Sequence, residues 1–142
     1  MKEKTTHNSI LYDPRVIEFF GNKKEIAAVY AFGSHAAGRQ RPESDVDIGI
    51  LLLPEFLGSA DRMRQECMVH LGRILRKDIH PVILNHAGEV LLKQVLSKGK
   101  AILIKNQKVD KYFKMVSLSR IVDFNYHLEK MQAGLTKKIL ES

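Results

Sequence analysis

Two observations predict an α/β or α+β fold for this chain. Four short runs rich in β-branched and other apolar residues alternate with segments whose apolar residues recur every three or four positions. The last of these segments is a long amphipathic tail with no strand after it. Strands that alternate with helices build a sheet covered by helices. We therefore expect one domain over residues 1–142, with a core at about 13–105 and a helical tail at about 109–140.

The first half of the chain predicts one short helix and two strands. Asp13 is a candidate N-cap, Pro14 fits the first helical position and Gly21 stops the helix. The run "IAAVYAF" at 26–32 is short, apolar and β-rich, which predicts a buried strand. The run "DVDIGILLL" at 45–53 predicts a second strand, which is closed by the proline that follows it.

The second half alternates in the same way. Residues 59–76 carry an apolar face at helical spacing, formed by Ala60, Met63, Cys67, Leu71 and Ile74. "DIHPVILN" at 78–85 predicts a third strand, 89–98 a short helix and "KAILIKN" at 100–106 a fourth strand. The tail repeats apolar residues every three or four positions from Ile121 to Ile139, so it predicts a long helix that covers the core or binds a partner.

Composition narrows the class of protein. The chain has 142 residues, 44% of them hydrophobic and 27% charged, as in ordinary globular domains. No apolar run approaches the roughly 20 residues that span a bilayer, and the polar start lacks the apolar stretch of a signal peptide. We expect a cytoplasmic protein with no membrane partner. A single cysteine, Cys67, excludes an internal disulfide and a multi-cysteine zinc site.

The net charge of +7 is concentrated late in the chain. Residues 93–120 hold eight basic residues against one acidic residue, Asp110. Such a segment is typical of a surface that meets a nucleic acid, a nucleotide or an acidic protein, and equally of a solvated lysine-rich face. No nucleic-acid-binding motif accompanies it, so a nucleic acid is the less favoured partner.

The stretch "GSHAAGRQRPESDVDIGIL" at 33–51 indicates a phosphate site. Gly33 allows a close approach of the backbone or a positive φ, and Ser34 would open a short helix. There the serine hydroxyl and the following N–H groups can hold a phosphate, assisted by the helix dipole. Gly38 would end that helix, which leaves Arg39 and Arg41 in a loop near the phosphates.

Asp45 and Asp47 indicate a metal site beside it. Two residues apart on a strand, they leave the same face roughly 6.6 Å apart along the chain. Two carboxylates at that spacing can converge on divalent cations, and Mg²⁺ prefers oxygen ligands in the company of phosphates. Without a cation, the two acids would repel each other at an apolar strand end. Each feature alone is also typical of an ordinary turn or cap, whereas their combination favours nucleotide chemistry.

These residues resemble the signature of the nucleotidyltransferase superfamily with the DNA polymerase β palm-like fold. The chain is closest to the minimal nucleotidyltransferases (MNT), and "DIHPVILNHAGEVLLKQVLSKGKAILI" extends the resemblance to the MntA-type antitoxins of HEPN/MNT toxin–antitoxin systems. The resemblance implies a small mixed sheet flanked by helices, with a C-terminal helical tail. It also implies transfer of AMP from ATP, with Mg²⁺ or Mn²⁺, to a hydroxyl acceptor, a tyrosine of a HEPN-type toxin.

Carried onto this chain, the resemblance implies that Gly33, Ser34 and Arg39 bind the triphosphate and that Asp45 and Asp47 ligate the metal. The family expects a third carboxylate on the next strand, where this sequence has His80. Histidine can act as a base but is a poor ligand for Mg²⁺. His80 is therefore an unusual catalytic base or ligand, an inert replacement in an impaired enzyme, or evidence of a different strand register. In the latter case Asp78 would substitute.

Two functions follow from the sequence. The first is an antitoxin protein adenylyltransferase with a HEPN toxin as partner. The alternative is a catalytically impaired module of the same fold that binds and occludes a partner protein through its helical tail. The chain could also form an oligomer, and the sequence alone does not identify the acceptor.

Overall fold

Four strands form one mixed sheet in this computed structural model, which describes residues 12–33, 36, 38 and 45–141. The strands are β1 (Ile26–Phe32), β2 (Val46–Leu52), β3 (Ile79–Ile83) and β4 (Lys100–Ile104). They lie in the order β3–β2–β1–β4. β1 is antiparallel to both β2 and β4, and β2 is parallel to β3. The predicted mixed sheet is confirmed.

Helices cover both faces of the sheet. They are α1 (Pro14–Gly21), α2 (Ala60–Leu75), α3 (Glu89–Lys98) and α4 (Gln107–Glu141), with short 3-10 turns at Pro54–Ser59 and Leu84–His86. α1 and α2 pack on the face that carries the largest apolar cluster, whereas α3 and α4 pack on the other face. The predicted start of α1 is confirmed, because the Asp13 carboxylate accepts a hydrogen bond from the N–H of Arg15 at 2.8 Å.

β2 alternates between the two faces, as the sequence pattern predicts. Val46, Ile48, Ile50 and Leu52 are at most 1% exposed and belong to the cluster under α1 and α2. Asp47 therefore points to the opposite face, and Asp45, which directly precedes the strand, stands two residues before it on the same side. The apolar set fixes the register of β2, because a slip of one residue would bury the acids.

β3 is an edge strand, which explains how it accommodates Pro81. The N–H of Val46 donates to the carbonyl of Asp78 at 2.9 Å. Because alternate residues of a parallel strand bond to the same neighbour, His80 faces β2 with its backbone while the Pro81 nitrogen points to the open edge. The proline is therefore compatible with the strand.

β3 and β4 both end earlier than the sequence predicts, at Ile83 and Ile104. The side-chain amide of Asn85 donates to the carbonyl of Leu52 and accepts from its N–H, at 3.0 and 2.9 Å. This contact belongs to the 3-10 turn after β3, so residues 84–85 are not strand. β4 likewise stops at Ile104, and Asn106 accepts a hydrogen bond from the N–H of Val109 at the start of α4. The short helix predicted after Ser34 lies outside the described residues.

α4 packs against the sheet only along its first half. Asp110, Ser117 and Ile121 are buried there, and the Tyr30 hydroxyl of β1 donates to the Asp110 carboxylate. From residue 122 to residue 141 every side chain is exposed except the half-buried Asn125. Twenty helical residues extend roughly 30 Å. In the described part of the chain, no helix is both long and apolar enough to cross a membrane.

Candidate active site

Gly33 and Asp47 form the centre of the candidate site. β1 ends at Phe32, which pairs with Asp47. The turn that starts at Gly33 therefore lies beside the first residues of β2. Gly33 has φ +73°, and a β-carbon built on it would stand 2.2 Å from Oδ2 of Asp47. Only glycine fits both the backbone angle and the space. The structure therefore brings the start of the predicted phosphate turn directly against one of the two predicted metal ligands.

Asp45 is held from the other side by His80. Nε2 of His80 lies 3.0 Å from Oδ2 of Asp45, and the two side chains are 57% and 48% exposed. Asp47 pairs with His80 across β2 and β3, so all three side chains share one face of the sheet. The family resemblance implies a third acid at this position, and the register pairs His80 with Asp47 there. What the sequence does not reveal is that its ring nitrogen contacts the Asp45 carboxylate.

The donor atoms at this site suit a hard cation. Asp45 and Asp47, two residues apart at the start of β2, supply carboxylate oxygens, which are suitable ligands for Mg²⁺ and Mn²⁺. Among the described residues no group of three His, Cys, Asp or Glu side chains is arranged to hold a metal ion. Two carboxylates suit a cation that takes its other ligands from phosphate oxygens and water, as Mg²⁺ does at nucleotide sites.

Two predicted nucleotide contacts, Ser34 and Arg39, lie outside the described residues, and so does Arg41. Gly38, which is described, has φ +71°, in the left-handed region that glycine adopts readily. The structure thus places Gly33, Asp45, Asp47 and His80 together, while the roles of Ser34 and Arg39 stay predictions.

The basic segment at 93–120 is not one continuous binding face, because several of its cations have partners within the protein. Nζ of Lys105 donates to the carbonyls of Phe20, Gly21 and Lys23 at the end of α1, at 3.2, 3.1 and 2.6 Å. Its partial burial lowers the pKa of the Lys105 amine. Lys114 pairs with Asp110, and Arg120 pairs with Glu89. Because these three cations already have partners within the protein, the nucleic-acid interpretation of the segment is weakened.

A different basic cluster, which the sequence analysis did not identify, lies beside the acid pair. α2 and β3 border a recess of about 850 Å³ that reaches Asp45 and His80. Its lining includes four cationic side chains: Arg64, Arg73, Arg76 and Lys77. Arg64 lies in the second turn of α2, whereas the other three lie at the end of the helix and directly after it, and helical spacing assigns all four to a solvated face. Only the packing of α2 against β3 brings them to the site.

Comparison with known proteins agrees with this geometry. A family model described as "Polymerase beta, Nucleotidyltransferase" matches residues 15–108, which contain every site residue above. A relative from Shewanella oneidensis, "Protein adenylyltransferase MntA", is 33% identical over 98 residues, which are 69% of this chain and 68% of the relative.

Solved structures share the fold over nearly the whole chain. A toxin–antitoxin structure with AMP-PNP matches at a TM-score of 0.62 and 25% identity, covering 94% of this chain and 98% of that one. A complex of a tri-AMPylated Shewanella oneidensis HEPN toxin with an MNT antitoxin matches at a TM-score of 0.61 and 23% identity, with the same coverage, and shows the fold alone. The chain therefore belongs to the polymerase β nucleotidyltransferase family and, within it, to the MNT-type antitoxins.

Proposed function

We propose that this protein transfers AMP from ATP to a hydroxyl group of a partner HEPN-type toxin, in a reaction that depends on a divalent cation. The observation that carries the proposal is the contact of the Gly33 turn with Asp47, beside an Asp45 carboxylate held by His80. A phosphate-binding turn and an acid pair in contact are what nucleotidyl transfer requires. The adenylyltransferase relative and the AMP-PNP-bound toxin–antitoxin structure support the nucleotide and the partner.

In the proposed reaction the acceptor oxygen attacks the α-phosphate of ATP. The bond between the α-phosphorus and the bridging oxygen breaks, AMP becomes attached to the acceptor and pyrophosphate leaves with the bond electrons. Gly33 lets the turn approach the phosphates closely, and Asp45 and Asp47 would hold the cation. When bound, that cation supplies positive charge where negative charge develops on the phosphates. The fixed carboxylates need little reorganisation during the reaction.

His80 has two roles that the geometry supports. Its Nε2 contacts Asp45, which orients that carboxylate toward the face it shares with Asp47. A neutral ring that donates from Nε2 leaves Nδ1 unprotonated, so this exposed ring can also accept the proton that the acceptor hydroxyl loses. We propose orientation of Asp45 as the first role and proton acceptance as the second.

The experiment is AMP transfer from labelled ATP to the co-purified toxin, with and without Mg²⁺, followed by mass analysis of both chains. Asp45→Asn with Asp47→Asn should abolish labelling while the protein stays folded, because the amides keep the shape but cannot hold the cation. Glu55→Gln, which removes an exposed carboxylate of the 3-10 turn after β2, outside the recess, is the control and should keep most of the activity. Unchanged labelling in the double variant would refute the proposal.

A second function is favoured by one specific observation, the exposed end of α4. Phe124, Leu128, Met131 and Leu135 continue the helical face that carries the buried Asp110, Ser117 and Ile121. Such a stripe suits occlusion of a partner without any chemistry. If the double asparagine variant still binds and neutralises the toxin, occlusion contributes to the antitoxin role. If the variant loses both AMP labelling and neutralisation of the toxin, AMP transfer is the sole mechanism.

A further inference from the structure

The recess beside the acid pair has a defined position relative to the chemistry. In the sheet order β3–β2–β1, the acids of β2 stand between the Gly33 turn at the end of β1 and the recess along β3. Asp45 and His80 belong to both the acid site and the lining of the recess. A nucleotide held at the Gly33 turn therefore leaves the β3 side open for the second reactant.

Charge is the first clue to what the recess binds. Its lining carries four cationic side chains and two carboxylates, those of Asp45 and Asp78. Asp45 is engaged by His80, and Arg64 lies 3.7 Å from Asp61 on its own helix. Arg73 and Arg76 are both exposed, and neither pairs with a carboxylate in the described part of the chain. Two guanidinium groups without acidic partners make this surface complementary to an acidic ligand.

The backbone at Arg76 is the second clue. Arg76 follows the last turn of α2 with φ 54° and ψ 43°, the left-handed conformation that glycine usually adopts at this place. It is the only non-glycine residue with positive φ among the described residues. A side chain in that conformation is disfavoured by roughly 1 kcal/mol or more relative to glycine. The chain thus keeps a cation at a position where glycine would be less strained.

The walls of the recess indicate a polypeptide ligand. Met68 and Val69 of α2 line it and are 49% and 50% exposed, so an apolar surface lies beside the arginines. The open edge of β3 could pair with an extended peptide through backbone hydrogen bonds. Pro81, however, lacks the N–H that would face this edge. Recognition therefore rests on side-chain charge and apolar contact more than on main-chain pairing.

We propose that this recess binds the polypeptide that receives AMP, through an acidic segment that flanks the acceptor hydroxyl. The proposal rests on the proposed function and names how that site selects its acceptor. Arg73 and Arg76 bind carboxylates of the segment, Met68 and Val69 contact its apolar residues, and the hydroxyl is delivered next to Asp45 and His80. ATP, which lies on the Gly33 side, does not depend on the recess.

The main test is a steady-state AMP-transfer assay with the full chain and its toxin. The double variant Arg73→Gln with Arg76→Gly removes two cations and relieves the left-handed backbone, so it should fold at least as well as the wild type. We expect its KM for the toxin to rise about tenfold or more, the loss expected when charge-assisted contacts are removed. Its KM for ATP should change less than about twofold, since ATP lies on the other side of the acids.

The matched control is Lys93→Gln with Lys98→Gln, which removes the same charge from exposed positions of α3. It should leave both KM values at the wild-type level. An equal rise in toxin KM for the control would mean that net charge alone governs association, and would overturn the proposal. A rise in the KM for ATP in the recess variant would assign the recess to the nucleotide and overturn it as well.

A binding measurement separates this proposal from the proposed function. A fluorescently labelled octaglutamate peptide should bind the wild-type protein at low salt, bind the recess variant at least about fivefold more weakly and compete with the toxin for AMP transfer. If the wild type transfers no AMP, the proposed function fails, yet selective peptide binding still locates an acidic-ligand site. If octaglutamate does not bind while single-stranded RNA does, the recess is a nucleic-acid site and the proposal is wrong.

Discussion

Gly33 and Asp47 lie so close together that a β-carbon on Gly33 would stand 2.2 Å from Oδ2 of Asp47. This contact joins the turn after β1 to the acid pair of β2. A substitution at Gly33 must therefore move either the turn or the carboxylate, in addition to straining the backbone at φ +73°.

Gly33→Ala should reduce AMP transfer by about a hundredfold or more, because even a displacement of about 1 Å at a reacting centre can have that effect. The free energy of unfolding should fall as well, since alanine at φ +73° is strained by about 1–2 kcal/mol. Labelled-ATP transfer and urea denaturation measure the two effects separately.

Gly38→Ala is the matched control for this prediction. Gly38 has φ +71°, but among the described residues no atom lies within 4 Å of its β-carbon position. The control should lose a similar amount of stability and keep most of its activity. Equal losses of activity in the two variants would mean that backbone strain, and not the Asp47 contact, makes Gly33 necessary.

Substitutions of His80 separate its two proposed roles. His80→Gln places an amide N–H near the position of Nε2, so it can still donate to Asp45 but cannot accept a proton. If orientation of Asp45 is the main role, His80→Gln should keep much more activity than His80→Ala. If proton acceptance dominates, both variants should lose activity to a similar extent, because neither side chain can take the proton of the acceptor hydroxyl.

His80→Asp tests the resemblance to relatives with a third carboxylate. A gain in activity would show that histidine weakens the native site, whereas a loss would show that this chain depends on the ring. The measurement is the rate of AMP transfer at saturating ATP with Mg²⁺ and, separately, with Mn²⁺. Since imidazole suits Mn²⁺ better than Mg²⁺, the aspartate variant should shift the metal preference toward Mg²⁺.

The exposed end of α4 should matter for partner binding and not for folding. Leu128 and Leu135 are 41% and 60% exposed, so Leu128→Asp with Leu135→Asp should change the free energy of unfolding by no more than about 0.5 kcal/mol per site. Loss of co-purification with the toxin is the expected result. Ala133→Asp with Thr136→Asp, on other sides of the helix, is the control and should retain the complex.

The buried pair of Tyr30 and Asp110 should make the protein sensitive to alkaline pH. Burial, and then the hydrogen bond to Asp110, raise the pKa of the Tyr30 hydroxyl above its ordinary value. Above pH 10 the unfolded chain loses this proton while the folded protein keeps it, so stability is complete below that pH and falls above it. Through this group, the free energy of unfolding falls by at most about 1.4 kcal/mol per pH unit.

Tyr30→Phe should remove the contribution of Tyr30 to the loss of folding stability above pH 10. At neutral pH it should lower the free energy of unfolding by about 1–3 kcal/mol, because the buried Asp110 loses a donor. Urea denaturation between pH 7 and 11 measures both effects, and Tyr126→Phe, at an exposed ring, is the control. An alkaline slope that is the same in Tyr30→Phe and the wild type would contradict the linkage.

Local patterns in the sequence predicted most elements to within a few residues. The Asp13 cap and Pro14 marked the start of α1, and the helical spacing of Met63, Cys67 and Leu71 marked the buried face of α2. The predicted third strand is too long because Asn85 bonds to the backbone of Leu52, which only folding brings near, and the predicted fourth strand is too long because Asn106 instead caps α4 through the N–H of Val109. Such contacts leave no periodic signal in the chain.

The sequence by itself determined the strands, the helices and the shared face of Asp45 and Asp47, because all of these depend on spacing within a few residues. The tertiary structure decided which strands are neighbours. That order put His80 against Asp45, Asp47 against Gly33, and the arginines of α2 in the recess that Asp45 and His80 also line. The physical reason is that side-by-side contacts between distant segments depend on how the whole core packs, which no local pattern records.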